Sequence, residues 1–281
     1  LVMSERAWAS LDPQDQAIFR EAARESGRHM REQWRRMKAF ERRECRQVDH
    51  VVAVSDADRA TFERDYGVSS VTAVATGVDT EFFRPSPART RRPHELVFTG
   101  SMDWMPNEDG IGWFVREVLP IIRVSVPDAT LSIVGRNPTG AVRALAGAAP
   151  GITVTGTVPD IRPYLEQAAV VLVPLRVGGG TRLKIFEAMA MECAIVSTTI
   201  GAEGLPVADG RDIRIADHAS DFAGATVSLL ADPAAAERIG RAAAAQVRER
   251  FGWEQVTADF SAACEATLAR WRGRHSPGRA A

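Results

Sequence analysis

Residues 170–205 read VVLVPLRVGGGTRLKIFEAMAMECAIVSTTIGAEGL. VVLVPL (170–175) is a continuous apolar run, as expected of a strand buried on both faces. Three glycines follow, then a helix-forming stretch over 181–191. AIVST (194–198) is a second buried strand. A buried strand, a helix and a second buried strand make a parallel βαβ unit. The glycines that open the helix match neither GxGxxG nor GxxxxGK[ST]. Thr181 is placed to cap a helix starting at Arg182. The amides of Arg182, Leu183 and Lys184 would then point out of the helix end and, with its dipole, form an anion site. Arg182 and Lys184 add full charges. Gly178, Gly179 and Gly180 remove side chains that would block a phosphate. Leu183, Phe186 and Ala190 share a face that can pack on the sheet. Glu187 lies one turn beyond Lys184, where a carboxylate repels phosphate but accepts hydrogen bonds from a vicinal diol such as a ribose. Two plainer readings stay open: an i,i+3 ion pair between Lys184 and Glu187, and solvated helix charge at Arg182 and Lys184.

The pattern repeats outward. Strands are expected at 96–100, 131–135, 152–156 and 212–216, and helices at 107–124, 139–147, 161–168, 220–230, 234–250 and 253–271. The fold class is therefore α/β, a doubly wound parallel sheet. Ligands of such sheets bind beyond the carboxyl ends of the strands, which nominates TGSMDW (99–104), VGRNP (134–138), TGTVPD (155–160), PLRVGGGTR (174–182) and TTIGAEG (198–204). Upstream, VDHVVAVS (48–55) and VTAVAT (71–76) read as strands. Ser55 can cap a helix over 56–66, and residues 86–94, rich in proline and arginine, read as a surface loop.

Residues 12–46 are helical, with Asp12-Pro13 as the start signal. From Arg20 to Arg46 there are ten Lys/Arg and five Asp/Glu, which leaves −6 for the rest of a chain of net charge −1. Met30, Trp34 and Met37 form an apolar stripe. The stripe reads either as a docking face or, with its basic flanks, as a peripheral contact of helix 20–46 with an anionic membrane. The near-neutral balance offers no global field for nucleic acid. The apolar runs are too short to span a bilayer, and Leu1 to Arg6 has no signal-peptide pattern. Cys45, Cys193 and Cys264 are widely spaced, without zinc or disulfide spacing, which fits a reducing cytoplasm.

The blocks HVVAVSDAD (50–58), TGVDTEFF (76–83), FTGSMDWMPNEDGI (98–111), LSIVGRNP (131–138) and 170–205 together resemble the C-terminal, donor-binding half of GT-B glycosyltransferases of group 1, family 4, in a GGGTRLK variant. The resemblance implies a retaining enzyme that takes a nucleotide-diphosphate sugar, with no cofactor and no metal required. Its acceptor would be a glycan, a lipid or lipid-linked acceptor, or a small molecule. It further implies that Glu187 grips the ribose and that Gly179, Gly180, Thr181, Arg182 and Lys184 form the diphosphate clamp, Arg182 and Lys184 being the catalytic pair. Arg136 and Val158 would line the base. Gly100, Ser101 and Asn107 would lie at the first loop, near the phosphates. The pattern departs from the family at Gly179, where many members carry a first glutamate. It departs again at Ser101 and Asn107, where many carry arginine and lysine. The implied domains are 1–70, a remnant of the acceptor domain; 71–250, the donor domain; and 251–281, a crossover helix and tail. Most of the acceptor domain is expected to be absent, so apolar surface is expected exposed around 48–54 and 253–271, with weak activity for the chain alone. The alternative is a non-catalytic nucleotide-sugar-binding subunit completed by a separate acceptor-binding chain. The expected location is the cytoplasm, or the inner face of the membrane.

Overall fold

The strand–helix alternation after residue 94 builds one six-stranded, all-parallel sheet. The computed structural model describes residues 12–178 and 182–275. The sheet strands are β3 (Glu95–Thr99), β4 (Thr130–Val134), β5 (Ile152–Gly156), β6 (Val170–Val173), β7 (Ile195–Ser197) and β8 (Arg214–Ile215), in the order β5-β4-β3-β6-β7-β8. From β3 the chain steps outward through β4 to β5, then crosses back to lay β6 against the other side of β3. Leu96 pairs with Val170 and Val97 with Val171. The strand order therefore switches direction between β3 and β6, the place beyond the strand ends at which sheets of this class bind ligands.

Alternate residues serve opposite faces of the sheet. Leu96, Phe98, Leu131, Ile133 and Leu172 pack with Phe114, Ile122 and Phe222 on one face. Val97, Val171, Val173 and Ile195 pack with Phe186, Met189 and Val247 on the other. Helices on both faces confirm the doubly wound class. The helices after β3 are α3 (Met105–Trp113) and α4 (Leu119–Ser125), joined by a π-helical turn over Phe114–Val118 that the apolar pattern did not reveal. Pro120 has no N–H to continue the α ladder, which accounts for the loosened turn. Next come α5 (Gly140–Ala144), α6 (Arg162–Gln167), α7 (Leu183–Ala190), α8 (Ala219–Ala231), α9 (Pro233–Arg250) and α10 (Trp253–His275).

The N-terminal part differs from expectation in two respects. Helix α1 (Pro13–Cys45) starts as read, with the Asp12 carboxylate accepting from the Gln14 amide at 2.8 Å. Its stripe is not docked: Met30, Trp34 and Met37 are 54%, 53% and 43% exposed. Contact is made lower down, where the Tyr66 hydroxyl donates to Glu41 and Arg46 donates to the Tyr66 carbonyl at 3.2 Å. The strands β1 (Val51–Ala53) and β2 (Val71–Ala73) pair with each other and not with the large sheet. The expected domain division at 70/71 thus falls between two paired strands. Between them lies α2 (Asp56–Tyr66), capped as its sequence dictates by Ser55 and closed by Gly67 at φ +66°.

Residues 86–94 form neither helix nor strand, as read, yet they are pinned. Arg89 pairs with Glu192 at 2.8 Å, and Arg91 donates to the carbonyls of Ala168 and Glu192 at 2.5 and 2.6 Å. The apolar residues expected at the surface are there: Val48, Val52 and Val54 beside β1, and Trp253, Phe260, Leu268 and Trp271 on α10.

Candidate functional site

Beside the switch point, the chain ends of β3 and β4 cross at two glycines. A Cβ on Gly135, at the end of β4, would lie 1.7 Å from the Gly100 carbonyl oxygen, at the end of β3. No side chain fits at that crossing, so the loops after β3 and β4 run side by side. They are stitched together above it. The Met102 amide donates to the Arg136 carbonyl at 2.8 Å. Arg136 donates through Nε to the Ser101 hydroxyl at 3.0 Å, and Ser101 donates to Asp103 at 2.6 Å. Asn137 reaches the same carboxylate at 3.0 Å. Those hydroxyl and amide donors hold Asp103 below the ordinary carboxylate value.

The other wall is α7. It starts at Leu183, one residue later than expected, and Arg182 occupies the cap position without a side-chain cap bond. The expected cap, Thr181, and the expected phosphate cradle, Gly179 and Gly180, lie outside the described residues. Leu183 does not pack on the sheet: it is 43% exposed, while Ile185, Phe186, Ala188, Met189 and Ala190 are buried.

Arg182 is not a solvated helix charge. It is 4% exposed, its guanidinium lies 5.4 Å from the centre of the Trp104 ring, and burial pulls its pKa down while Glu203 partly restores it. Lys184 is half-buried. Its ammonium bonds the Asn107 Oδ1 at 2.7 Å and sits 4.4 Å from the centre of the Phe98 ring. It also lies against Gly100, where a Cβ would approach it to 2.8 Å. Burial, with Arg182 nearby, lowers the Lys184 pKa to about 7, and Glu187 partly opposes this. A cation on the helix after β6 thus reaches across the switch point and comes to rest under the loop after β3.

Glu187 is half-buried, and burial raises its pKa while Lys184 draws it down. The Lys184–Glu187 ion pair left open by the sequence does not form: Lys184 bonds Asn107 instead. Among the described residues Glu187 takes no hydrogen-bond or ion-pair partner, so its two oxygens are free to accept from a ligand.

The remaining residues divide. Gly100 lies against Lys184, and Ser101 follows it in the same loop, bonded to Arg136 and Asp103. Asn107 does not face a ligand: it is 2% exposed, and both ends of its amide are used inside the protein. Arg136 is exposed at the rim, tied to Ser101. Val158 stands farther out, beyond edge strand β5, in a cavity of about 520 Å³ with Asp160 and Tyr164. Phe98 and Trp104, the aromatic faces beside the two cations, went unread in the sequence, where nothing marks an aromatic residue as a cation's neighbour. A cavity of about 600 Å³ opens on the far side of α7, between Phe186, the Gly204–Pro206 loop, the start of α2 and the start of α10.

Comparison with known proteins agrees with this architecture. The family profile described as "Glycosyl transferases group 1" matches residues 93–232, and that of "Glycosyltransferase Family 4" matches residues 20–82. The chain is 27% identical over 248 residues to an MMP alpha-(1->4)-mannosyltransferase of Mycolicibacterium hassiacum, covering 84% of this chain and 59% of that protein. It is 28% identical over 227 residues to a GDP-mannose-dependent alpha-(1-6)-phosphatidylinositol monomannoside mannosyltransferase of Mycolicibacterium smegmatis, covering 73% of this chain and 59% of that one. Its fold is similar to that of sucrose-phosphate synthase from Thermosynechococcus elongatus, with a TM-score of 0.69 at 20% identity over 83% of this chain and 62% of the other. The chain spans 43–63% of the length of the curated relatives it matches. Among the described residues no helix is long and apolar enough to cross a membrane.

Proposed function

We propose, since the chain belongs to the group 1, family 4 glycosyltransferases, that the switch point between β3 and β6 binds a nucleotide-diphosphate sugar for hexosyl transfer with retention of configuration. The observation that carries this reading is the pairing of two unlike groups on one helix. Lys184 brings an ammonium to the switch point, and Glu187, one turn on, offers a carboxylate that takes no hydrogen-bond or ion-pair partner among the described residues. A diphosphate suits the first and a ribose diol suits the second. Arg182 and Lys184 oppose the charge that builds on the departing diphosphate, so no metal is required. Removing one such contact costs about 10²–10³ in rate. Gly179, Gly180 and Thr181 complete the phosphate cradle, Gly100 and Ser101 border it, and Arg136 and Val158 lie on the side assigned to the base. The acceptor is a glycan or a lipid-linked acceptor.

A second reading is a nucleotide-sugar-binding subunit that works with a separate acceptor-binding polypeptide. The exposed Val52, Val54, Phe260 and Trp271 favour it. The basic flanks of α1, with exposed Met30 and Trp34, are the proposed contact for an anionic membrane at the cytoplasmic face.

Calorimetry with UDP and GDP tests the site. The chain binds one of them, and Glu187→Ala weakens it by about tenfold to a hundredfold, the loss of a hydrogen-bonding carboxylate. Failure of the unaltered chain to bind either nucleotide, or equal binding by Glu187→Ala, overturns the assignment.

A further inference from the structure

Of the 35 Lys and Arg residues in this chain, two are lysines, Lys38 and Lys184. One lies on the exposed face of α1 and the other at the switch point. A guanidinium is planar, forked and always charged, whereas an ammonium is compact and gives up its proton when its surroundings demand it. The space around Lys184 suits the compact group: Gly100 lies on one side, the Phe98 ring on another and Asn107 on a third.

Asn107 is fully buried, and its amide meets two partners that demand the same orientation. The Ser101 carbonyl accepts from Nδ2 at 2.8 Å and must face an N–H donor. The Lys184 ammonium donates to Oδ1 at 2.7 Å and must face an acceptor. One side chain therefore spans the switch point from the loop after β3 to the helix after β6. We propose that Asn107 is a positioning residue, whose amide holds the Lys184 ammonium in place, and in its charged form, beside the 100–104 loop. This rests on the donor-site reading for its purpose but not for its test.

Hydrogen bonding to a charged form favours that form, while burial disfavours it. Among the described residues the groups facing Lys184 are few. Arg182, on the same segment, lowers its pKa and Glu187 raises it. Asn107 from α3 and Phe98 from β3 are uncharged, so Asn107 is the packed neighbour that supports the proton without neutralising it. An aspartate of the same shape would set one carboxylate oxygen on the ammonium, favouring its charged form while cancelling its charge towards an anion, and would set the other against the Ser101 carbonyl, which loses its donor. A leucine of similar volume would withdraw the acceptor.

The two-lysine composition makes the experiment direct. Protein labelled with ¹³C,¹⁵N-lysine gives two side-chain signals, and Lys38 is the internal reference. In the ligand-free chain Lys184 titrates near the value of about 7 set by its burial. Asn107→Leu moves that midpoint down and Asn107→Asp moves it up, while Lys38 stays in place in both. A Lys184 midpoint unchanged by both variants overturns the proposal. Thermal unfolding identifies a variant that does not fold. If Asn107→Leu is lost that way, the isosteric Asn107→Asp decides alone.

Calorimetry with UDP and GDP at pH 6 adds the functional arm. Asn107→Asp weakens binding by about tenfold or more, as expected when a cation is neutralised at an anion site. Asn107→Leu, which brings no charge of its own, also weakens binding through loss of the Lys184 proton, and in a Lys184→Met background it has a much smaller effect. An equal loss from Asn107→Leu in both backgrounds shows that Asn107 acts on fold alone and refutes its positioning role. If the unaltered chain binds neither nucleotide, the donor-site reading fails, and the lysine titration still decides the place of Asn107.

Discussion

Replacing Lys184 with methionine tests whether this ammonium is held for binding at the expense of stability. The side chains are similar in length, and methionine removes the charge. Burial lowers the Lys184 pKa from 10.5 to about 7. At about 1.4 kcal/mol per pH unit, holding the amine protonated in the folded state costs on the order of 5 kcal/mol, an upper bound because water reaches a half-buried group. Against this, methionine leaves the Asn107 Oδ1 without its donor, a loss of about 1–3 kcal/mol. Below pH 7 Lys184 is protonated both folded and unfolded, so the full cost is present. Between pH 7 and 10.5 the unfolded chain holds the extra proton, and stability gains about 1.4 kcal/mol per unit as pH rises. The expected result is a Lys184→Met chain more stable than the parent by roughly 2–4 kcal/mol at pH 6, with most of that advantage gone by pH 9. Urea unfolding followed by tryptophan fluorescence at both pH values measures it. A less stable Lys184→Met chain at pH 6, or a difference that does not change between pH 7 and 9, would refute the reasoning.

Three further predictions follow from the same geometry. Nucleotide affinity should pass through a maximum with pH: it rises as Glu187 ionises above the ordinary carboxylate value and falls as Lys184 loses its proton near 7. Calorimetry from pH 5 to 9 reads both limbs, and Lys184→Met should abolish the upper one. Gly135→Ala drives a Cβ to 1.7 Å from the Gly100 carbonyl and should cost several kcal/mol, lowering the urea midpoint and separating the two loops of the site. Glu192→Ala should cost about 2–3 kcal/mol, because it releases Arg89 at 2.8 Å and Arg248 at 3.2 Å from one partly buried carboxylate. Urea unfolding measures the loss, and an unchanged midpoint overturns it.

Much of this molecule was legible in the order of its residues. Continuous apolar runs such as VVLVPL announce strands buried on both faces, and local chemistry sets the ends of elements, as Ser55 and Gly67 do for α2. The strand-end glycines, Lys184 and Glu187 could be singled out by spacing and charge, since both depend on neighbours within a turn of helix. What the tertiary structure decided is what the sequence left two-sided. Lys184 had Glu187 three residues away as its nearest partner in sequence, yet it bonds Asn107, 77 positions upstream, because the crossover sets β6 against β3. Arg182 read as functional with solvated helix charge left open, and the fold buries it beside Trp104. Asn107 read as a ligand contact, and the fold turned it inward as a brace. The stripe of α1 read as a docking face and stands exposed, because amphipathic periodicity specifies a face without specifying what covers it. Periodicity and capping are local properties and survive in one dimension. The partner of a charge is a matter of distance across a sheet, and only the folded chain supplies that distance.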